Sequence, residues 1–141
     1  MAFPGIHHVA VTVSDLNVSR PWYQALFGAD PVLDEKEDKG NFHHVVWVVG
    51  DGQVFGIHQH TKPSSNDPCD ETRPGLDHVS FACTDRDDLK RWESKLDELG
   101  YKHGGIVEAS YGAGLSFRDP DNNPLEFFVL GPASWLTTVE G

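Results

Sequence analysis

One pattern occurs twice in this chain at a spacing of seventy residues: Gly5-Ile6-His7-His8-Val9 running to Asp15, and Gly75-Leu76-Asp77-His78-Val79 running to Asp85. A repeat of this length implies two similar units sharing a sheet or core, with a site where they meet. In each copy a histidine stands seven residues before an aspartate. Apolar Val9, Val11 and Val13 alternate with His8, Ala10 and Thr12, and Val79, Phe81 and Cys83 alternate with His78, Ser80 and Ala82. Alternation with period two marks a half-buried strand. It puts each histidine on a face of small residues, where a ligand has room, and turns the bulkier residues toward a packing partner.

The same offset organises the rest of the sequence. Ser14-Asp15 can cap a helix carrying Val18, Trp22, Ala25, Leu26 and Phe27 at helical spacing, with Gly28 as its stop. Pro21 argues for a later start near Ser19-Arg20, with proline in the first turn. A short strand is expected at 31–33, followed by a solvated acidic turn from Asp34 to Asp38. Two β-rich runs, Phe42 to Val49 and Gln53 to His60, flank Gly50-Asp51-Gly52 and read as a hairpin. Past a proline-rich polar linker the order repeats. A helix with Leu89, Trp92, Leu96 and Leu99 on one face stops at Gly100, its first turn acidic from Asp85 to Asp88. Strands follow at 102–107, 113–118 and 125–129, the last two separated by the turn Asp119 to Asn123. The division expected is a first module at 1–60, a linker at 61–74, a second module at 75–130 and a tail at 131–141.

Size and charge narrow the function. With 141 residues the chain needs no disulfide scaffold. Cys83 reads as a small core residue, and Cys69 lies in the linker. A net charge of −11 disfavours nucleic acid and anionic membrane as partners. The sequence contains no apolar run of membrane-spanning length and no signal-peptide pattern at its start, so a soluble cytoplasmic protein acting on a small molecule is expected.

In the last strand Leu125, Phe127 and Val129 share one face, which leaves Glu126 on the other beside Phe128. A carboxylate among apolar neighbours is costly to bury unless it is paired or bound to a cation. His8, His78 and Glu126 are therefore candidates to converge on one site.

These segments, namely His8 to Leu16 (HVAVTVSDL), Trp22 to Gly28 (WYQALFG), Gly75 to Val79 (GLDHV) and Phe117 to Glu126 (FRDPDNNPLE), resemble the vicinal oxygen chelate superfamily over residues 6 to 130. That superfamily includes glyoxalase I, extradiol dioxygenases, methylmalonyl-CoA epimerase, fosfomycin-resistance thiol transferases and bleomycin-resistance proteins. The resemblance implies an α+β fold of two βαβββ modules whose mixed sheets curve into a cup. It implies metal ligands from the first and last strands of each module, which here are His8, His78 and Glu126. The seventy-residue offset sets Gly56 opposite Glu126, where members resembling glyoxalase I supply a carboxylate. Glycine cannot ligate through a side chain. The remaining two-histidine, one-carboxylate set leaves coordination positions open and suits iron(II) or manganese(II), with zinc or nickel as further options. His58 replaces the missing ligand if the register is shifted by two.

The resemblance implies a divalent-metal-dependent enzyme of the glyoxalase or dioxygenase type, with isomerisation or lysis, ring cleavage and group transfer all open. The alternative is a metal-free protein that sequesters a drug or other small molecule. His58 and Tyr111 are the catalytic candidates, His58 as base near the metal. His43, His44 and His60 are candidate proton carriers or supports for a ligand. Tyr111 and Arg118 are candidate contacts for an anionic substrate, against packing for Tyr111 and pairing with the acidic turn for Arg118. Asp119 and Asp121 read as turn residues, and His7 as facing away from the ligand side. A homodimer is expected.

Overall fold

The computed structural model describes residues 1–131; past Gly131, the expected tail at 131–141 lies outside the described residues. Two compact units divide the chain, Met1–Pro68 and the residues from Cys69 onward. The first contains β1 (His8–Thr12), α1 (Leu16–Phe27), β2 (Leu33–Glu37), β3 (Phe42–Val49) and β4 (Gln53–His60). The second contains β5 (Val79–Ala82), α2 (Arg86–Leu99), β6 (His103–Ala109), β7 (Gly112–Arg118) and β8 (Pro124–Leu130). Their sheets have the matching orders β1-β4-β3-β2 and β5-β8-β7-β6. In each, the first strand runs parallel to the last and every other pair is antiparallel. Each unit is thus one βαβββ module with a mixed four-stranded sheet.

Local chemistry fixes the helix ends. Asp15 Oδ1 accepts from the Asn17 amide at 2.9 Å, and Gln59 Oε1 accepts from the Leu16 amide at 2.8 Å. These two acceptors satisfy amides that a helix start otherwise leaves unpaired. They also correct the expected late start, because α1 begins at Leu16 and carries Pro21 in its interior. An interior proline forfeits the bond to the carbonyl four residues back, here that of Asn17. Both Asn17 and Pro21 are exposed, so water can take that carbonyl. The start of α2 is reciprocal: Asp85 Oδ1 accepts from the Asp88 amide at 2.7 Å, and Asp88 Oδ2 accepts from the Thr84 amide at 3.0 Å. Both helices end on a left-handed glycine, Gly28 at φ 64° and Gly100 at φ 73°.

One face of each sheet packs on its helix. In the first unit Val45, Trp47, Phe55 and Ile57 are buried together with Tyr23 and Leu26 of α1. The Tyr23 ring lies 5.3 Å from Phe55, and Trp47 Nε1 donates to the Ala29 carbonyl at 3.0 Å. Val18, expected on the apolar face of α1, is exposed; the buried positions are Ser19, Tyr23 and Leu26. In the second unit Trp92 of α2 stacks on Phe127 at 4.5 Å, and Leu89 and Leu96 are fully buried. Each fully buried side chain of this size contributes about 1.5–3 kcal/mol, which is what holds a helix on its sheet.

The acidic segment differs from expectation. Leu33–Glu37 is a strand, pairing antiparallel with β3 from Leu33↔Val46 to Glu37↔Phe42. Charged side chains are common on an edge strand, where they discourage pairing with another chain. The later strands fall close to their expected ranges, except that β6 continues to Ala109 and shifts register between His103 and Ile106, where Gly105 adopts φ 73°. Cys83 is half-buried, not in the core; burial pushes its thiol up to about 11. Among the described residues no helix is long and apolar enough to cross a membrane.

Candidate functional site

In the second unit, register places Ser80, Glu126 and Ser116 side by side on the sheet face away from α2. Ser80 Oγ donates to Glu126 Oε1 at 2.8 Å, and among the described residues Oε2 accepts no hydrogen bond. Room for this carboxylate comes from Gly114, where an added Cβ would stand only 2.8 Å from Glu126 Oε2. Immediately before β5, His78 Nδ1 lies 2.7 Å from Asp77 Oδ1. An ionised carboxylate only accepts, so Nδ1 carries a proton, and in the neutral tautomer this leaves the lone pair on Nε2. This is the arrangement by which an outer carboxylate orients a metal-binding imidazole.

In the first unit, Ala10, Gly56 and Val46 occupy the three positions that Ser80, Glu126 and Ser116 occupy in the second. Gly56 is therefore the counterpart of Glu126. His58 pairs with Thr12 and His44, two positions further along, and is the counterpart of Phe128. The shifted register does not occur. A Cβ at Gly56 would make only ordinary contacts of 3.6–3.7 Å with Val46 Cγ2, Ala10 Cβ and the Val45 carbonyl. Packing thus does not demand glycine there.

His8 begins β1, and its Nδ1 lies 2.9 Å from His7 Nδ1. His7, expected to face away from the ligand side, lies with its ring against that of His8, at the sequence position that Asp77 takes beside His78. On the same sheet face the His58 ring stacks on Phe42 at 4.7 Å and meets His44 edge-on at 5.4 Å. Partial burial lowers the His58 pKa from 6.5, with further lowering from His44, His60 and His8. The ring is therefore neutral at pH 7. His44 Nε2 is buried with no hydrogen-bond partner among the described residues. His43 lies on the opposite face, paired with Asp34.

The remaining candidates separate clearly. Arg118 forms an ion pair with Glu71, not with the acidic turn, and donates to the Asn122 carbonyl at 3.4 Å. Tyr111 is exposed and lies 6.1 Å from Phe128, ring to ring. Asp119 is a turn residue: its Oδ1 accepts from the Asp121 and Asn123 amides at 2.9 and 2.8 Å. Among the described residues no three His, Cys, Asp or Glu side chains form a group spaced to hold a metal ion. Sequence reasoning missed Asp77, Ser80 and Gly114. The signal for Asp77 was its place directly before the repeated histidine, matching His7.

Residues 5–127 match the Glyoxalase/Bleomycin resistance protein/Dioxygenase superfamily. The chain belongs to this superfamily. A glyoxylase/bleomycin resistance protein/dioxygenase domain from Frankia sp. EAN1pec superposes with a TM-score of 0.82 at 31% identity, covering 94% of this chain and 96% of that one. The metallothiol transferase FosB of Bacillus licheniformis is 26% identical over 129 residues, 86% of this chain and 73% of that protein. The putative ring-cleaving dioxygenase MhqA of Bacillus subtilis is 34% identical over 55 residues, 39% of this chain and 17% of that protein. Superfamily membership accounts for the paired βαβββ modules. It leaves the reaction open, because relatives with different chemistry share the scaffold.

Proposed function

We propose that the protein is a divalent-metal-dependent enzyme acting on a small oxygen-bearing substrate, with His8, His78 and Glu126 holding the metal. The observation that carries this reading is the carboxylate of Glu126: oriented by Ser80 and accommodated by Gly114, it leaves Oε2 without a hydrogen bond among the described residues. A half-buried carboxylate of this kind fits a cation. The Asp77–His78 hydrogen bond adds an imidazole oriented so that Nε2 is the nitrogen left to ligate. Two imidazoles and one carboxylate suit iron(II) or manganese(II), with zinc and nickel as further candidates. When bound, such an ion supplies Lewis-acid polarisation of a substrate oxygen.

The chain's own residues supply the rest. His58, neutral at pH 7, accepts a proton from the substrate on its unprotonated ring nitrogen. Phe42 stacked on that ring limits its rotation. Tyr111, with its exposed ring, contacts the substrate. The name of FosB supports a metal and group transfer, and that of MhqA supports ring cleavage; the proposal holds for either chemistry. We propose a homodimer as the assembly, and light scattering showing a monomer at micromolar concentration would overturn it.

A second reading, a metal-free small-molecule binder, is favoured by the absence of a three-ligand group among the described residues and by Gly56 at the counterpart of Glu126. Elemental analysis of protein purified without chelator separates the two. The enzyme reading expects close to one first-row divalent ion per chain. No retained metal after incubation with iron(II), manganese(II), zinc and nickel would leave the binder.

A further inference from the structure

On the α1 side of the first unit's sheet lies a cleft of about 560 Å³, lined by residues of α1, β2, β3 and the end of β4. Strand alternation puts Asp34, Lys36, His43, Val45 and Gln59 of its lining on the face opposite His8, Gly56 and His58, while His60, at the end of β4, belongs to the His58 face; none of these lining residues is used by the proposed metal reading. Its frame is an ion network. Asp34 Oδ2 lies 2.8 Å from Arg20 Nε, and Asp34 Oδ1 lies 2.5 Å from His43 Nε2. Both carboxylate oxygens are thereby engaged.

Hydrogen-bonding capacity is left over. Arg20 meets Asp34 through Nε, and its terminal Nη groups bond no described residue. Gln59 uses Oε1 to hold the Leu16 amide, leaving both hydrogens of Nε2 unused among the described residues. Lys36 is held only loosely, 3.9 Å from exposed Asp38. Unused donors therefore predominate along a cleft that also has apolar wall from Leu16 and Val45.

Arg20 is balanced by Asp34 at 2.8 Å and Lys36 by Asp38 at 3.9 Å, so an anion would be drawn by the unused Arg20 Nη and Gln59 Nε2 donors more than by net charge. The chain's net charge of −11 acts only weakly on these donors from a distance, because charges beyond about 8 Å are largely screened at physiological ionic strength. The volume exceeds what a bare carboxylate needs and falls in the range of small-molecule sites.

We propose that this cleft binds a small organic acid, its carboxylate on the free edge of the Arg20 guanidinium with Lys36 and Gln59 beside it, and its body against Leu16 and Val45. A planar carboxylate matches the guanidinium fork in a way that a lone ammonium cannot reproduce.

The test is a backbone amide shift titration of the full chain at constant ionic strength, with benzoate, neutral benzamide and inorganic phosphate as probes. Saturable shifts at Leu16, Arg20, Lys36, Gln59 and Thr61 are expected with benzoate, and none with benzamide. Arg20→Gln should weaken benzoate about tenfold, while Lys90→Gln on α2 should leave it unchanged. The amide spectra of both variants verify that they fold. An unsaturable response to benzoate, an equal response to benzamide, phosphate binding as tightly as benzoate, or an equal loss in Lys90→Gln would each overturn the proposal.

Discussion

Replacing Glu126 by alanine is expected to remove bound metal and activity together while leaving the fold in place. The proposed set has three protein ligands, and loss of one leaves two imidazoles that hold a first-row ion far more weakly. The fold should persist because Glu126 lies on the face away from α2 and has one hydrogen-bond partner, Ser80, among the described residues. The core face of β8, formed by Leu125, Phe127 and Val129, is untouched. His78→Ala should behave alike. Ser80→Ala and Asp77→Asn should be milder, weakening metal about 10–100-fold, the usual cost of removing a group that orients a ligand. Metal content per chain, dissociation constants by chelator competition and thermal melts measure all of these. An alanine variant at Glu126 that keeps full metal and activity would end the three-ligand reading.

How far the sequence could be read depended on how local the physics was. The β3–β4 hairpin ran as expected from Phe42 to Val49 and Gln53 to His60, because the Gly50-Asp51-Gly52 turn and the β-rich runs are neighbours in the chain. Helix ends at Gly28 and Gly100 were equally legible, since a left-handed cap needs little beyond glycine itself. Pro21 misled because part of what anchors α1 is remote: the side chain of Gln59, forty-three residues away, holds the Leu16 amide. The charged run from Asp34 to Glu37 hid a strand, because its register depends on partners from Phe42 to Val45 in β3 and on the Arg20 and His43 contacts to Asp34. At the candidate site, strand parity was enough to put Glu126 on the face away from the packed residues. The support of Ser80 and the space at Gly114 required knowing which strands lie beside β8, and that was not visible from period alone.

His58→Ala is expected to lower turnover by about 10²–10⁴-fold, the contribution of a positioned general base, while metal content stays close to normal. The expectation rests on register: Gly56, and not His58, occupies the counterpart of Glu126. The acidic limb of the wild-type pH–rate profile should fall below pH 6.5, because burial and the neighbouring histidines favour the neutral ring. His58→Ala should lose that limb, which a merely structural role would not predict. With its folded pKa lowered, His58 binds fewer protons in the folded state than in the unfolded one, so its contribution to stability is present above pH 6.5 and is lost as pH falls through the lowered value. Metal dissociation constants for His58→Ala and His8→Ala complete the comparison. A large loss for His8 with little change for His58 supports the assignment. Parallel losses would make His58 a ligand, and the base would then have to be sought among the other groups on that sheet face, beginning with His44, whose buried Nε2 has no hydrogen-bond partner among the described residues.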